Sequence, residues 1–419
     1  MSTLTEKRNL TEEIQAAFIE RGLGDSSSRK KALDLLLEKG FPGPKSEEYK
    51  FTPITRLLEK ALDLNNVRAV ESIIAPASLS IVKELKCNMV VFVNGQFSKE
   101  HSVLIDEEIL IQSEAADDAK IESDPFNLLN QAFANEVIEI SIGPRKSVQH
   151  PLAIIYYFDS PKFVFANPRW RCIVGSQSSV TLLEHVQSPG SSLYFNNKQS
   201  SIEVGENSQI EYITIQNGPA TGIEMNNTVV HLSASAQASC FTFTFDGQLI
   251  RNNLTVTIDG QGVDAHLYGL YLLTKNTLAD NHTVVDHRNP NSFSNELYKG
   301  VMDGNSKGVF NGKIYVRPQA QKTNAFQSNR NILLGDMATI NTKPQLEIWA
   351  DDVKCSHGCT TGQLDEEALF YLRSRGISKE MAKGMMLYAF ASETIASMKN
   401  ETIKSFLDGL ISEKLHKNF

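Results

Sequence analysis

Near both ends of the chain, apolar residues repeat every three or four positions, which is the spacing of a helix that packs one face against a core. Serine, threonine or aspartate before these segments and glycine after several of them supply the expected caps. The pattern predicts helices over residues 29–39, 53–62, 366–375, 379–398 and 401–417. Most methionines of the C-terminal helices are predicted to be core residues, with a partner groove as the alternative, namely Met381, Met385, Met386 and Met398.

The middle of the chain shows a β-type pattern instead. From about residue 154 to 349, short β-branched and aromatic runs are followed by Asn, Gly, Ser or Asp roughly every 8–15 residues. A sandwich or barrel would close within roughly 100–150 residues, whereas a parallel β-helix adds short strands with no limit on length. The length of the array and its polar corners favour the solenoid and leave the sandwich as the alternative.

These patterns together predict a mostly β protein, a β-solenoid with helical caps. We expect an N-terminal helical domain over residues 1–88 and a β-helix core over 89–362, with an irregular insertion at about 106–150. A C-terminal helical domain is expected over 363–419. The helical regions are expected to cover the ends of the solenoid, where strand edges would otherwise be exposed.

Composition and charge narrow the classes of function. The 419 residues include 41 Lys or Arg and 49 Asp or Glu, and the net charge of -8 argues against a nucleic-acid or membrane-surface partner. No apolar stretch approaches the roughly 20 residues of a membrane span, and the first residues lack the apolar segment of a secretory signal. Five cysteines, most of them far apart, are not a disulfide framework. We therefore expect a cytoplasmic protein.

Nucleotide-binding motifs fit the sequence poorly. Lys307 stands where a P-loop needs its first glycine and Ile314 where it needs a hydroxyl, so we expect no nucleotide to be bound by this chain. Gly260 and Gly262 imitate a dinucleotide fingerprint, but a β-rich segment follows where a helix is required. A tight solenoid corner with positive φ is the favoured interpretation.

Two polar segments carry candidate chemistry. Cys355, His357 and Cys359 are the densest group of soft ligands, yet three donors in five residues do not easily reach one tetrahedral ion. A site completed by another chain is a better metal hypothesis, while the pattern alone favours a buried cysteine beside a turn histidine. The segment 280–287 contains Asp and His that could serve hydrolysis, but a solenoid corner with Asx turns is favoured.

Longer strings of residues resemble a known family. The segment 343–358, with Lys-Cys-Ser-His-Gly at 354–358, is similar to the SufB/SufD family of iron–sulfur cluster assembly subunits, and to its SufD branch in particular. The lack of a cysteine-rich cluster-binding segment also favours that branch. Further similar segments lie at 40–42, 46–52, 280–283, 296–300, 312–316, 320–323, 327–329, 362–365 and 369–377.

The resemblance implies a right-handed parallel β-helix and a non-catalytic scaffold role in iron–sulfur cluster assembly. It implies a SufB-type paralogue and a SufC-type ABC ATPase as partners, with ATPase activity in the latter and docking through helices at about 364–398. The nascent, transiently shared cluster is expected at the interface between the two scaffold subunits. His357 and Cys355 match that interface, and Cys359 is a further candidate. A reduced flavin in the complex and a homodimer of the isolated chain stay open.

Two other classes of protein share the predicted fold. A structural solenoid would associate with copies of itself through its sheet edges. A β-helix carbohydrate-active enzyme would place clustered carboxylates on one face and usually act outside the cell. The sequence shows neither an obvious carboxylate ladder nor an export signal, which disfavours the enzyme.

Overall fold

The computed structural model of the chain describes residues 10–61, 85–116, 121–190 and 192–418. Parts of the predicted N-terminal domain and insertion, including the expected helix end at residue 62, lie outside the described residues. The described ranges contain seven α-helices: α1 Leu10–Glu20, α2 Ser27–Lys39, α3 Ile54–Ala61, α4 Pro125–Phe133, α5 Glu366–Ser374, α6 Lys379–Ser392 and α7 Glu401–Asn418.

The described residues between α3 and α5 contain twenty strands. They are β1 Asn88–Val93, β2 Gln96–Phe97, β3 Ile109–Ala115, β4 Glu136–Ile142, β5 Leu152–Tyr157, β6 Val164–Ala166, β7 Arg169–Val174, β8 Ser179–Gln187, β9 Tyr194–Val204, β10 Gln209–Asn217, β11 Gly222–Leu232, β12 Gln237–Asp246, β13 Leu249–Ile258, β14 Asp264–Leu273, β15 Leu278–His287, β16 Phe293–Met302, β17 Lys307–Val316, β18 Asn324–Leu333, β19 Thr339–Ile348 and β20 Lys354–Gly362.

The strands wind into a parallel β-helix, which confirms the predicted fold. From β7 onward, successive strands alternate between two sheets, and each strand pairs in parallel with the strand two positions along the chain. One sheet ends at β20 and the other at β19. The division into three domains at residues 88 and 362 stays a prediction.

A residue in the left-handed backbone conformation recurs at the corners of the solenoid. Residues with positive φ recur about once per turn, at Arg145, Gln177, Asn207, Ser235, Gly262, Asn291 and Lys322. The φ of +71° at Gly262 confirms the predicted glycine corner. At Gly260 an added Cβ would lie 2.0 Å from the backbone nitrogen of Ala234, so that glycine permits close contact between turns.

The interior and the two outer faces of the solenoid form separate cores. Inward side chains of both sheets, such as Leu182 and Val256, pack in one cluster. The outer face of the β20 sheet, with Phe241 and Phe243, packs against α6 and α7. The outer face of the β19 sheet packs against the N-terminal helices and α4. The expectation that helices cover the ends was wrong for the end at β19 and β20, because the described helices instead bury the apolar outward positions of the strands.

Two further predictions need correction. The helix predicted over 379–398 ends at Ser392, and the side chain of Thr394 donates to the carbonyl of Ala391 in the turns that follow. The segment 280–287, predicted as a corner, lies within strand β15. Every residue of that strand is buried or half-buried, because the interior covers one face and the N-terminal region covers part of the other.

Candidate functional site

Strands β19 and β20 form the last turn of the solenoid and are open to solvent. Within the described residues, β19 pairs only with β17 and β20 only with β18, so each strand has one unpaired edge. An unpaired edge presents backbone N–H and C=O groups to an incoming strand. Pro344 lies within β19, which is compatible with an edge strand because proline has no N–H to donate.

The three candidate donors lie on the inward side of this open turn. Ala325, Gln327 and Asn329 of β18 are buried inward residues, and they are in register with Cys355, His357 and Cys359 of β20. Because the pairing is parallel and in register, the donors continue the inward columns of the preceding turn. No described turn covers them, so Cys355 is half-buried against the interior core while His357 and Cys359 are exposed.

The donors form a row and not a cage. Alternate residues of a strand lie roughly 6.6 Å apart, which places the two end donors about 13 Å from each other. Accordingly, no group of three His, Cys, Asp or Glu able to hold a metal ion occurs within the described ranges. Burial raises the pKa of the Cys355 thiol, and a hydrogen bond with the backbone of Ala325 opposes that shift. Further ligands for a metal at this row must come from outside it.

The facing strand gives the open end an apolar side. Ile340 and Leu346 of β19 pack against the interior core and remain half-exposed. Beyond the end of this strand, Trp349 is 48% exposed and stacks on Tyr315 at 6.1 Å. The end of the solenoid therefore combines thiol and imidazole side chains with apolar surface, a combination suited to contact with another subunit.

Polar side chains continue behind the donors into the interior. Gln327 Nε2 donates to Glu296 Oε2 at 2.7 Å, and burial raises the pKa of Glu296 to about 7. Asn329 Nδ2 donates to the hydroxyl of Tyr271 at 3.0 Å, and Asn331 Nδ2 donates to Asn329 Oδ1 at 2.7 Å. Sequence analysis gave these residues no role in the site, although Glu296, Gln327 and Asn329 fall in segments that resemble the family and Glu296 and Gln327 recur at about one turn of the solenoid.

A second polar cluster holds the N-terminal segment on the outer face of β15. His282 contacts Asp280 at 3.0 Å and Glu48 at 3.5 Å, and Arg251 contacts Asp280 at 2.7 Å. The hydrogen bond from His282 lowers the pKa of Glu48 to about 2. Burial alone would raise the pKa of Asp280, but Arg251, His282 and Thr52 together hold it below its usual range. This cluster therefore holds together segments 46–52 and 280–283, which both resemble the family in sequence.

The C-terminal helices present an apolar surface to solvent. Phe370 and Tyr371 of α5 are 74% and 58% exposed, and Met381 and Met385 of α6 are 63% and 48% exposed. Met398 is buried, as predicted for a core residue. The exposed methionines instead fit the alternative of an adaptable partner surface.

Comparison with known families identifies the family of this chain. The family model of the SufBD core domain of SUF-system FeS cluster assembly matches residues 157–390, and the model of the SufBD N-terminal region matches residues 6–154. The chain belongs to the SufBD family. The SufBD core match includes the last turn with its donor row and both α5 and most of α6.

Individual SufBD relatives agree with this assignment. The chain is 28% identical to the iron-sulfur cluster assembly protein SufD of Escherichia coli, over 99% of each chain. It is 29% identical to a SufBD family protein of Synechocystis over 98% of this chain and 97% of the relative. SufD of Bacillus subtilis is 26% identical over 81% of this chain and 77% of its own length. Among the described helices, none is long and apolar enough to cross a membrane.

Proposed function

We propose that this chain is a non-catalytic scaffold subunit that holds a nascent iron–sulfur cluster between its last turn and a SufB-type paralogue. Membership of a family of iron–sulfur cluster assembly proteins supports the chemistry. The observation that carries the proposal is the row of Cys355, His357 and Cys359, half-buried at Cys355 and exposed at the other two, on the inward side of a turn that no described strand covers.

The chemistry of the row fits a shared cluster. Thiolate and imidazole are both ligands of iron in clusters. The row is too extended for one ion to reach both of its ends, so the partner must supply the remaining ligands. His357 and Cys355 are the donors that we assign to the interface, and Cys359 is the additional candidate. A thiol that binds iron loses its proton to solvent.

The backbone supports the same arrangement. The unpaired edges of β19 and β20 give a SufB-type partner two strands to extend. The isolated chain would offer the same edges to a second copy of itself. A homodimer of the purified chain that dissociates when the paralogue is added therefore belongs to the proposal, whereas filaments that persist in its presence would favour the self-associating structural solenoid.

A point substitution tests the cluster site. We expect His357→Ala to abolish cluster formation in the complex co-expressed with its SufB-type and SufC-type partners, while assembly of the subunits is unchanged. Ser356→Ala is the matched control, because Ser356 is the adjacent residue and lies on the opposite face of β20. Iron and sulfide content and visible absorption after anaerobic purification give the yield. A normal yield in His357→Ala would contradict the proposal.

We also propose that the SufC-type ATPase docks on α5 and α6. The exposed apolar side chains of these helices support this assignment. Phe370→Ser with Met381→Ser is expected to abolish ATPase capture in a pull-down while leaving the solenoid folded. Lys404→Ser, at a half-exposed position of α7, outside α5 and α6, is the control and should retain capture. ATPase binding that survives the double substitution would contradict the docking site.

A further inference from the structure

Three polar residues are aligned across the last three strands of one sheet. Glu296 of β16 is in register with Gln327 of β18, which is in register with His357 of β20. Adjacent strands lie about 4.8 Å apart, so side chains in register on one face are within reach of one another. Glu296 and Gln327 are 1% and 3% exposed, whereas His357 is exposed.

The hydrogen bond to Glu296 sets the orientation of the Gln327 amide. Gln327 Nε2 donates to Glu296 Oε2 at 2.7 Å. Because the amide nitrogen is the atom that contacts Glu296, the amide oxygen faces away from that carboxyl and is left for another donor. Gln327 Oε1 is a buried oxygen that has no hydrogen-bond partner among the described residues. Leaving such an acceptor unsatisfied costs about 1–3 kcal/mol.

The neighbouring strand is adapted to the Gln327 side chain. Gly312 of β17 lies beside the amide, and a Cβ at Gly312 would fall 2.2 Å from Gln327 Nε2. Any larger residue there would displace the amide from Glu296. The chain thus accommodates a buried amide whose oxygen is unsatisfied, one strand below His357.

We infer that Gln327 is a positioning residue, whose Oε1 accepts the N–H of His357 and so selects the ring nitrogen that faces the cluster. In a neutral imidazole one nitrogen donates and the other carries the lone pair that binds a metal. His357 is exposed and lies directly beside Gln327 in the register of the two strands. This inference rests on the proposed function of His357.

The expected consequence is a preorganised ligand. With one N–H held by Gln327, the other nitrogen points away from the interior and toward the open end. Residues that orient a ligating histidine in this way typically change metal affinity or activity by 10–100-fold when they are removed. We therefore expect loss of the Gln327 acceptor to slow cluster formation by roughly 10-fold, less than loss of His357 itself.

The tautomer of His357 provides a direct test in the full-length chain without any cluster. Histidine labelled with nitrogen-15 distinguishes the two ring nitrogens, and the His357 signals are those missing from His357→Ala. We expect one dominant tautomer in the unsubstituted chain and a mixture in Gln327→Met. Gln216→Met is the matched control, because Gln216 is also a buried interior glutamine, held by three hydrogen bonds, but lies on β10.

A paired exchange tests the role of the acceptor. Glu296→Gln combined with Gln327→Glu keeps the hydrogen bond between the two side chains and keeps an oxygen facing His357. We expect this double variant to restore the single tautomer and most of the rate of cluster formation. Should Gln327→Met not accumulate as folded protein, Gln327→Asn, which keeps the amide but shortens its reach, carries the same prediction.

The outcomes separate this inference from the proposed function. An unchanged tautomer ratio in Gln327→Met, or an equal change in Gln216→Met, would overturn the positioning role. A normal cluster yield in His357→Ala would instead overturn the proposed function, whatever the tautomer ratio. Loss of the dominant tautomer in Gln327→Met alone, with recovery in the paired exchange, supports the positioning role.

Discussion

Replacing Lys198 with methionine is expected to destabilise the solenoid by about 3–5 kcal/mol, because the substitution leaves a buried carboxylate without its cation. Lys198 Nζ lies 2.7 and 2.9 Å from the two carboxylate oxygens of Glu184, and both side chains are 1% exposed. The hydroxyls of Tyr156 and Tyr212 also donate to Glu184. Because these two neutral donors remain, we place the loss near the lower end, at about 3 kcal/mol.

A double variant distinguishes the loss of the ion pair from the cost of leaving a charged carboxylate buried without a partner. Lys198→Met with Glu184→Gln replaces the stranded carboxylate with a neutral amide, so it should recover part of the stability lost in Lys198→Met. Lys404→Met serves as the surface control, because its Nζ lies 3.4 Å from the exposed Glu401 in the first turn of α7. An exposed pair of this kind contributes less than about 1 kcal/mol.

Trp170 reports on the same network. Its Nε1 donates to the hydroxyl of Tyr156 at 2.7 Å, and Trp349 is the other of the two tryptophans in the chain. In a Trp349→Phe background, urea unfolding followed by fluorescence therefore monitors the interior around Lys198. Equal unfolding midpoints for Lys198→Met and Lys404→Met, or a double variant less stable than Lys198→Met, would refute the argument.

Three further predictions concern other parts of the fold. Burial lowers the pKa of His282, but Asp280 and Glu48 raise it above its usual value. The contribution of His282 to the stability of the fold is therefore complete below about pH 6.5 and is lost as the pH rises through the raised pKa. The difference in melting temperature between the unsubstituted chain and His282→Gln should shrink accordingly. Gly269→Ala places a Cβ 2.1 Å from the ring of Tyr298 and should cost about 1–3 kcal/mol in urea unfolding, whereas Gly358→Ala meets no atom within 4 Å and should cost far less. Asp365→Ala removes the N-cap of α5 and should speed amide exchange in its first turn, for a loss of about 1 kcal/mol; unchanged exchange would contradict the capping role.

The fold class was predictable because short strands and polar corners repeat along the chain. The faces of the solenoid on which the helices pack were not predictable, because nearly every residue of strands such as β14 is buried. The interior covers one face of β14 and the C-terminal helices cover the other, so the alternation that marks an outer face is lost. The apolar spacing beyond Ser392 fits both a helix and a series of turns, so the predicted helix was too long.

The donor row was partly predictable. The i, i+2, i+4 spacing of Cys355, His357 and Cys359 puts them on one face of any strand. That this face points inward at an uncovered turn depends on pairing with β18, which lies about 30 residues earlier. Gln327 and Glu296 stayed without a role for the same reason, since only the register between turns places them behind His357.

The location of the donors on the last turn also determines when, during synthesis, the donor face can form. A ribosome releases the chain from its N-terminus, and each turn of a solenoid contacts only its neighbours. Strand β20 needs β18 as its template, so the donor face takes its place only after the turns before it exist. A chain that stalls or is cleaved upstream ends without any of the three donors.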